Sequence, residues 1–111
     1  MIAVTDEILK QIVQAIVQAV SPEQIILFGS RANPDAPSQS DLDLLIVERE
    51  PFDTGRSRRT EIARIRRALS AFRIPKDILL FATDEVDRWR TSPNHIIARC
   101  LRQGRVLYER S

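Results

Sequence analysis

One stretch constrains the fold more than any other, Asp41-Leu42-Asp43-Leu44-Leu45-Ile46-Val47. It opens with aspartate and leucine alternating, then becomes apolar on both faces. Its latter part therefore belongs in the middle of a sheet with a layer covering each side. A chain of 111 residues has length for one such domain, spanning 1–111. The remaining segments must supply the neighbouring strands and the covering helices.

They do so in order. Thr5 is placed to cap a helix, with Asp6 and Glu7 in its first turn. Ile8, Leu9, Ile12, Val13, Ile16, Val17 and Val20 then recur at helical spacing up to Ser21-Pro22. Gln24–Phe28 reads as a short buried strand cut by Gly29-Ser30, and a polar loop runs from Arg31 to Ser40. After the Asp41–Val47 strand, Ile62, Ile65, Leu69 and Phe72 mark a second helix. Arg58, Arg59, Arg64, Arg66 and Arg67 fall largely off that stripe and are expected to form a solvated face, the alternative being approach to a triphosphate, an acidic partner or RNA. Asp77–Ala82 is a third strand, and Thr83 is placed to cap a short helix. A last helix over 93–103 is stopped by Gly104 in a C-cap role, before a weak strand at Val106-Leu107-Tyr108. The order αββαβααβ predicts an α/β (α+β) fold, a small mixed β-sheet flanked by helices.

Strand geometry turns this order into chemistry. Alternate strand residues point the same way, so Asp41 and Asp43 share a face at the strand's beginning. An antiparallel first strand would bring Gly29-Ser30 beside them. A crossover through the second helix makes the third strand parallel to the second if the two are neighbours, placing Asp77 on the same rim. Three carboxylates drawn together repel by about 4 kcal/mol per pair at 4 Å and an effective dielectric of 20. Hard divalent cations relieve that repulsion, and Mg²⁺ habitually shares one or two carboxylates with substrate phosphates. Gly29 would let backbone approach a phosphate, and Ser30 would add a hydroxyl and an N–H. The constellation points to phosphoryl or nucleotidyl transfer.

Leu27-Phe28-Gly29-Ser30-Arg31-Ala32 followed by Ser40-Asp41-Leu42-Asp43-Leu44-Leu45-Ile46-Val47 resembles the minimal nucleotidyltransferases of the DNA polymerase beta-like superfamily. The resemblance extends over nearly the whole chain. It implies a polymerase beta-like nucleotidyltransferase fold, with Gly29 and Ser30 holding a nucleoside triphosphate. It implies further that Asp41 and Asp43 bind metal, and that Asp77 completes the metal site and helps deprotonate the acceptor hydroxyl. Such enzymes use Mg²⁺, here two ions, and transfer a nucleoside monophosphate, AMP from ATP above all, with release of pyrophosphate. Many minimal members are antitoxins paired with a HEPN-domain toxin, and some adenylylate a hydroxyl of that toxin. One departure stands out: similar sequences often continue Gly-Ser-Arg-Ala with Arg-Gly, whereas Asn33-Pro34 follows here. Arg31 remains as a candidate nucleotide-binding residue.

Composition narrows the setting. No apolar run approaches the about 20 residues of a membrane span, no signal peptide is evident, and Cys100 is the single cysteine. A cytoplasmic protein with no membrane partner is expected. Residues 1–50 carry a net charge of −5 and residues 51–111 a net of +7, with 15 of the 17 basic residues arginine. That asymmetry suits solvated helix faces or an anionic partner. A chain this short has no room for an acceptor-holding second domain, so the acceptor surface is expected from a partner protein or another subunit.

Other readings are weaker. A stoichiometric antitoxin with a vestigial metal site would not need the Gly-Ser turn and all three aspartates. A nucleotide-sugar glycosyltransferase needs a longer domain, and direct nucleic-acid binding through the arginine helix is not expected. His95 is expected as a surface or cap residue and Cys100 as a core thiol. Trp89 is either a partner-facing anchor or a packing residue beneath a loop.

Overall fold

The computed structural model of the chain describes residues 4–29 and 41–110. Eight elements follow in the order αββαβααβ: α1 (Asp6–Val20), β1 (Gln24–Phe28), β2 (Leu42–Glu48), α2 (Arg58–Ala68), β3 (Lys76–Ala82), α3 (Thr83–Trp89), α4 (Ile96–Gln103) and β4 (Arg105–Glu109). This is the expected mixed α/β architecture. The strands form one sheet in the order β3-β2-β1-β4, with β1 antiparallel to β2 and β4, and β2 parallel to β3.

Each helix begins or ends for a local reason. The Thr5 hydroxyl accepts the Ile8 N–H at 3.2 Å, opening α1, and Ser21 closes it in the left-handed region at φ 51°. The Ser57 hydroxyl caps α2 by accepting the Thr60 N–H. Thr83, expected as a cap, is instead the first residue of α3, with Ala82 at the N-cap. Its hydroxyl donates to the Arg49 carbonyl at 3.0 Å, while the Glu85 carboxylate accepts the Ala82 N–H. The last helix starts three residues later than expected, at Ile96, because the His95 Nδ1 accepts the Ile97 N–H and so caps it.

Period-two patterning assigns the two faces of the sheet. Ile25, Leu27, Leu42, Leu44, Ile46, Ile78 and Leu80 pack with Leu9, Ile12 and Ile16 of α1 and Ile65 of α2. The opposite residues, Ile26, Leu45 and Val47, pack with Val86, Ile97 and Cys100 beneath α3 and α4. β2 is buried along both faces, as its apolar run requires. Cys100 is a core thiol. Gly104 ends α4 as expected, but its backbone is extended (φ −79°, ψ 164°) rather than left-handed. Space is the reason for glycine there. A Cβ would lie 2.5 Å from Ile26 Cγ2 and 3.1 Å from the Leu27 carbonyl oxygen, so the residue lets α4 turn tightly against β1.

Charged side chains also build the fold. Arg58, expected on a solvated face, folds back over the Phe52 and Phe81 rings at 4.8 and 5.4 Å. It donates to the Leu80 carbonyl at 2.7 Å and pairs with Glu85. Neutralising an orphan carbonyl and a carboxylate together outweighs hydration of one guanidinium. At the end of β2, Glu48 is 2% exposed and accepts a hydrogen bond from Arg56, which also pairs with Glu61 at 3.2 Å. Among the described residues the second oxygen of Glu48 is buried without a hydrogen-bond partner. Burial, with the Glu61 carboxylate nearby and Arg56 opposing, pushes Glu48 up to about 7.

Candidate active site

Sheet register brings the acidic residues together. Phe28 of β1 stands opposite Asp43 of β2, and Asp43 stands beside Asp77 of β3. Strands lie about 4.8 Å apart, so two carboxylates at one register on parallel neighbours meet side by side. Both project from the face that carries α3 and α4, at the end of the sheet where the strands leave the apolar layer. Gly29 follows Phe28 at that same end. Its φ of 73° is left-handed, and a Cβ built there would overlap the Asp43 carboxylate. Glycine is thus required twice over, by conformation and by the approach of that carboxylate.

The electrostatics are those of crowded negative charge. Burial first, then the charges of Asp77 and Asp41 and a hydrogen bond with Asp77, hold the Asp43 carboxyl above its ordinary range. Asp41 is exposed and directly precedes β2, so it adds charge to the cluster without the sheet's constraint on its position. Among the described residues no group of three His, Cys, Asp or Glu side chains is gathered closely enough to cage a metal ion. Asp43 and Asp77 are the pair the fold juxtaposes. Their chemistry suits a hard divalent cation: two carboxylates at one register, one of them half-desolvated, repel until a cation joins them. Ser30, Arg31 and Asn33-Pro34 lie outside the described residues.

Asp43 and Asp77 open into a cleft of about 460 Å³ lined also by Phe28, Leu79, Ile96 and Arg66. A second cavity of about 280 Å³ shares Phe28 and Ile96 with it and adds Gly29, Arg99 and Gln103. The two adjoin at Phe28 and Ile96, and the trough they make together has carboxylates on one side and the glycine turn on the other.

Residues 10–111 match the polymerase beta nucleotidyltransferase family. The chain belongs to the polymerase beta-like nucleotidyltransferase family. Solved structures share the fold. A protein of Sulfolobus solfataricus assigned as a nucleotidyltransferase superposes with TM-score 0.61 at 21% identity, over 91% of this chain and 77% of that one. A chain from the toxin–antitoxin complex MntA–HpeT, in a double Asp-to-Glu mutant, superposes with TM-score 0.60 at 14% identity, over 93% and 74%. No curated protein matches the sequence significantly. The expected family and fold are therefore those observed, and transfer of a nucleotidyl group is the family's chemistry.

Two arginines line the trough. Arg66 is exposed, in keeping with a solvated face of α2, and also lines the cleft with Asp77. Arg99 stands out only once α4 is set against β1, although Ile96, Arg99 and Gln103 already share a helix face by spacing. Trp89 remains exposed, with one side of its ring covered. Its ring stacks on His95 at 4.5 Å and 9°, and His95 in turn meets Phe81 edge-on at 6.4 Å. No helix among the described residues is long and apolar enough to cross a membrane.

Proposed function

We propose that this nucleotidyltransferase moves a nucleoside monophosphate, AMP from ATP above all, onto a hydroxyl of a partner protein. The partner in this reading is a HEPN-type toxin that the modification silences. The observation that carries the reading is the Asp43–Asp77 pair at one register of parallel strands, beside a glycine turn that a Cβ would block. Fold likeness to a chain from a toxin–antitoxin complex supports the choice of partner.

Each residue then has defined work. Asp41 and Asp43 would hold Mg²⁺, with Asp77 joining them from β3. A divalent metal bound there would supply positive charge against the triphosphate and would lower the barrier to hydroxyl deprotonation. Asp77 takes the proton of the acceptor hydroxyl as its oxygen bonds to the α-phosphorus. The bond from that phosphorus to the bridging oxygen breaks, and pyrophosphate leaves with the electron pair. Gly29, with Ser30 and Arg31 following, presents backbone N–H groups and a cation to the triphosphate. The half-buried position of Asp43 keeps part of the charge cluster out of water, where it acts most strongly on a cation.

Intact-mass spectrometry tests the proposal. Wild type and Asp41→Ala/Asp43→Ala are each incubated with Mg²⁺, mixed nucleoside triphosphates and the protein that co-purifies from the native host. A nucleoside-monophosphate increment on that protein, with wild type alone, is the expected result. A stable complex carrying no increment from either form would replace the transferase with a stoichiometric binder.

A further inference from the structure

The trough is asymmetric. One half holds Asp43 and Asp77, and the other holds Gly29 with Arg99 and Gln103. A polyanion entering a site floored by carboxylates needs a cation that is not already neutralised. Among the described residues Arg99 is exposed, forms no ion pair and is the one cation lining the glycine half. Phe28 and Ile96, common to both halves, are apolar and offer phosphates nothing. Ile96, Arg99 and Gln103 lie on one face of α4, so the guanidinium and the amide are presented together along the wall facing Gly29. The buried Cys100 thiol, raised to about 11 by burial, is lowered by Arg99 and raised by Asp43. One thiol thus lies within Coulombic reach of both the arginine and the carboxylate.

Resting on the nucleotidyltransferase reading above, we infer that Arg99 of α4 grips the β- and γ-phosphates of the nucleoside triphosphate across from the Gly29 turn. The geometry gives the trough a direction. The triphosphate tail lies in the glycine half, the α-phosphorus meets Asp43, and the acceptor hydroxyl comes in over Asp77. A planar guanidinium matches two phosphate oxygens at once, which a lysine at the same place does not.

Titration calorimetry with Mg²⁺ and non-hydrolysable ATP, and separately with AMP, tests the inference without relying on turnover. Charged hydrogen bonds of this kind make Arg99→Gln lose about 10- to 100-fold in ATP-analogue affinity, with AMP affinity changed less than about twofold. Arg99→Lys recovers part of the loss, and the salt dependence of ATP binding becomes shallower in Arg99→Gln. Arg59→Gln, an exposed α2 arginine outside the trough, serves as the charge-matched control. Equal ATP binding by wild type and Arg99→Gln overturns the inference while leaving the transferase reading intact. Loss confined to Arg66→Gln puts the triphosphate at the Asp77 end and also overturns it. A wild type that binds no nucleotide with Mg²⁺ overturns both.

Discussion

Replacing Glu48 with glutamine keeps the side chain's size and removes a charge that the fold buries at the end of β2. The folded-state value of about 7 lies well above the ordinary 4.5. That separation corresponds to on the order of 3 kcal/mol of differential proton binding. The sign follows from which state holds the proton. Below pH 4.5 both folded and unfolded chains carry it, and the group costs nothing. Between 4.5 and about 7 the folded chain keeps a proton that the unfolded chain releases, so stability falls as pH rises, and above about 7 the loss is complete. Asp43 contributes in the same direction, whereas Glu85 contributes oppositely, so the informative quantity is the difference between two proteins. Urea unfolding of wild type and Glu48→Gln at half-unit steps from pH 4.5 to 8 isolates it. The glutamine variant gains on wild type by up to about 1.4 kcal/mol per pH unit inside the window and by a constant amount above it. Arg56 keeps Glu61 at 3.2 Å in the variant, so no cation is stranded. Parallel profiles for the two proteins would refute the claim that Glu48 is held protonated by burial.

Other perturbations probe the site and its supports. Asp43→Asn removes a half-buried charge beside Asp77 and Asp41, so the metal-free protein melts at the same or a higher temperature by calorimetry while nucleotidyl transfer falls to background. Gly104→Ala forces a methyl against Ile26 and the Leu27 carbonyl, costing about 1–3 kcal/mol in denaturant unfolding despite the residue's ordinary φ. Arg58→Ala strips the Leu80 carbonyl and Glu85 of their partner, with a loss of about 1–3 kcal/mol. Burial draws Glu85 upward, but Arg58 and the Ala82 N–H more than offset it and hold the group below its ordinary value. Its stabilising contribution is therefore present above the unfolded carboxylate range and is lost as pH falls. In Arg58→Ala that acid-side loss shrinks, which unfolding profiles between pH 3 and 6 would register.

How far the site could be read in advance depended on the kind of interaction. The aspartate-leucine alternation at the start of β2 specifies face and depth within one segment, and a crossover connection makes β3 run parallel to β2, which puts Asp77 at the same end of the sheet. These are local periodicities and a connection rule, both carried by the chain itself. Gly29 was legible as a turn, but that its missing Cβ makes room for Asp43 depends on the β1–β2 register. Gly104 was placed correctly at the end of α4 for a different reason, since tight helix–strand contact and a left-handed cap favour the same residue.

The order αββαβααβ, the amphipathic faces and the acidic rim were determined by the sequence alone, because hydrophobic period and turn chemistry act over a few residues. Which arginines are structural and which face the trough was decided by tertiary structure. Arg58, Arg66 and Arg99 differ little in local pattern. Only packing sets Arg58 over Phe81 and against Glu85, brings Arg66 to the cleft of Asp77, and leaves Arg99 open beside Gly29. A long cationic side chain takes its role from whatever anion, carbonyl or ring the fold brings within its reach, and sequence separation does not encode that distance.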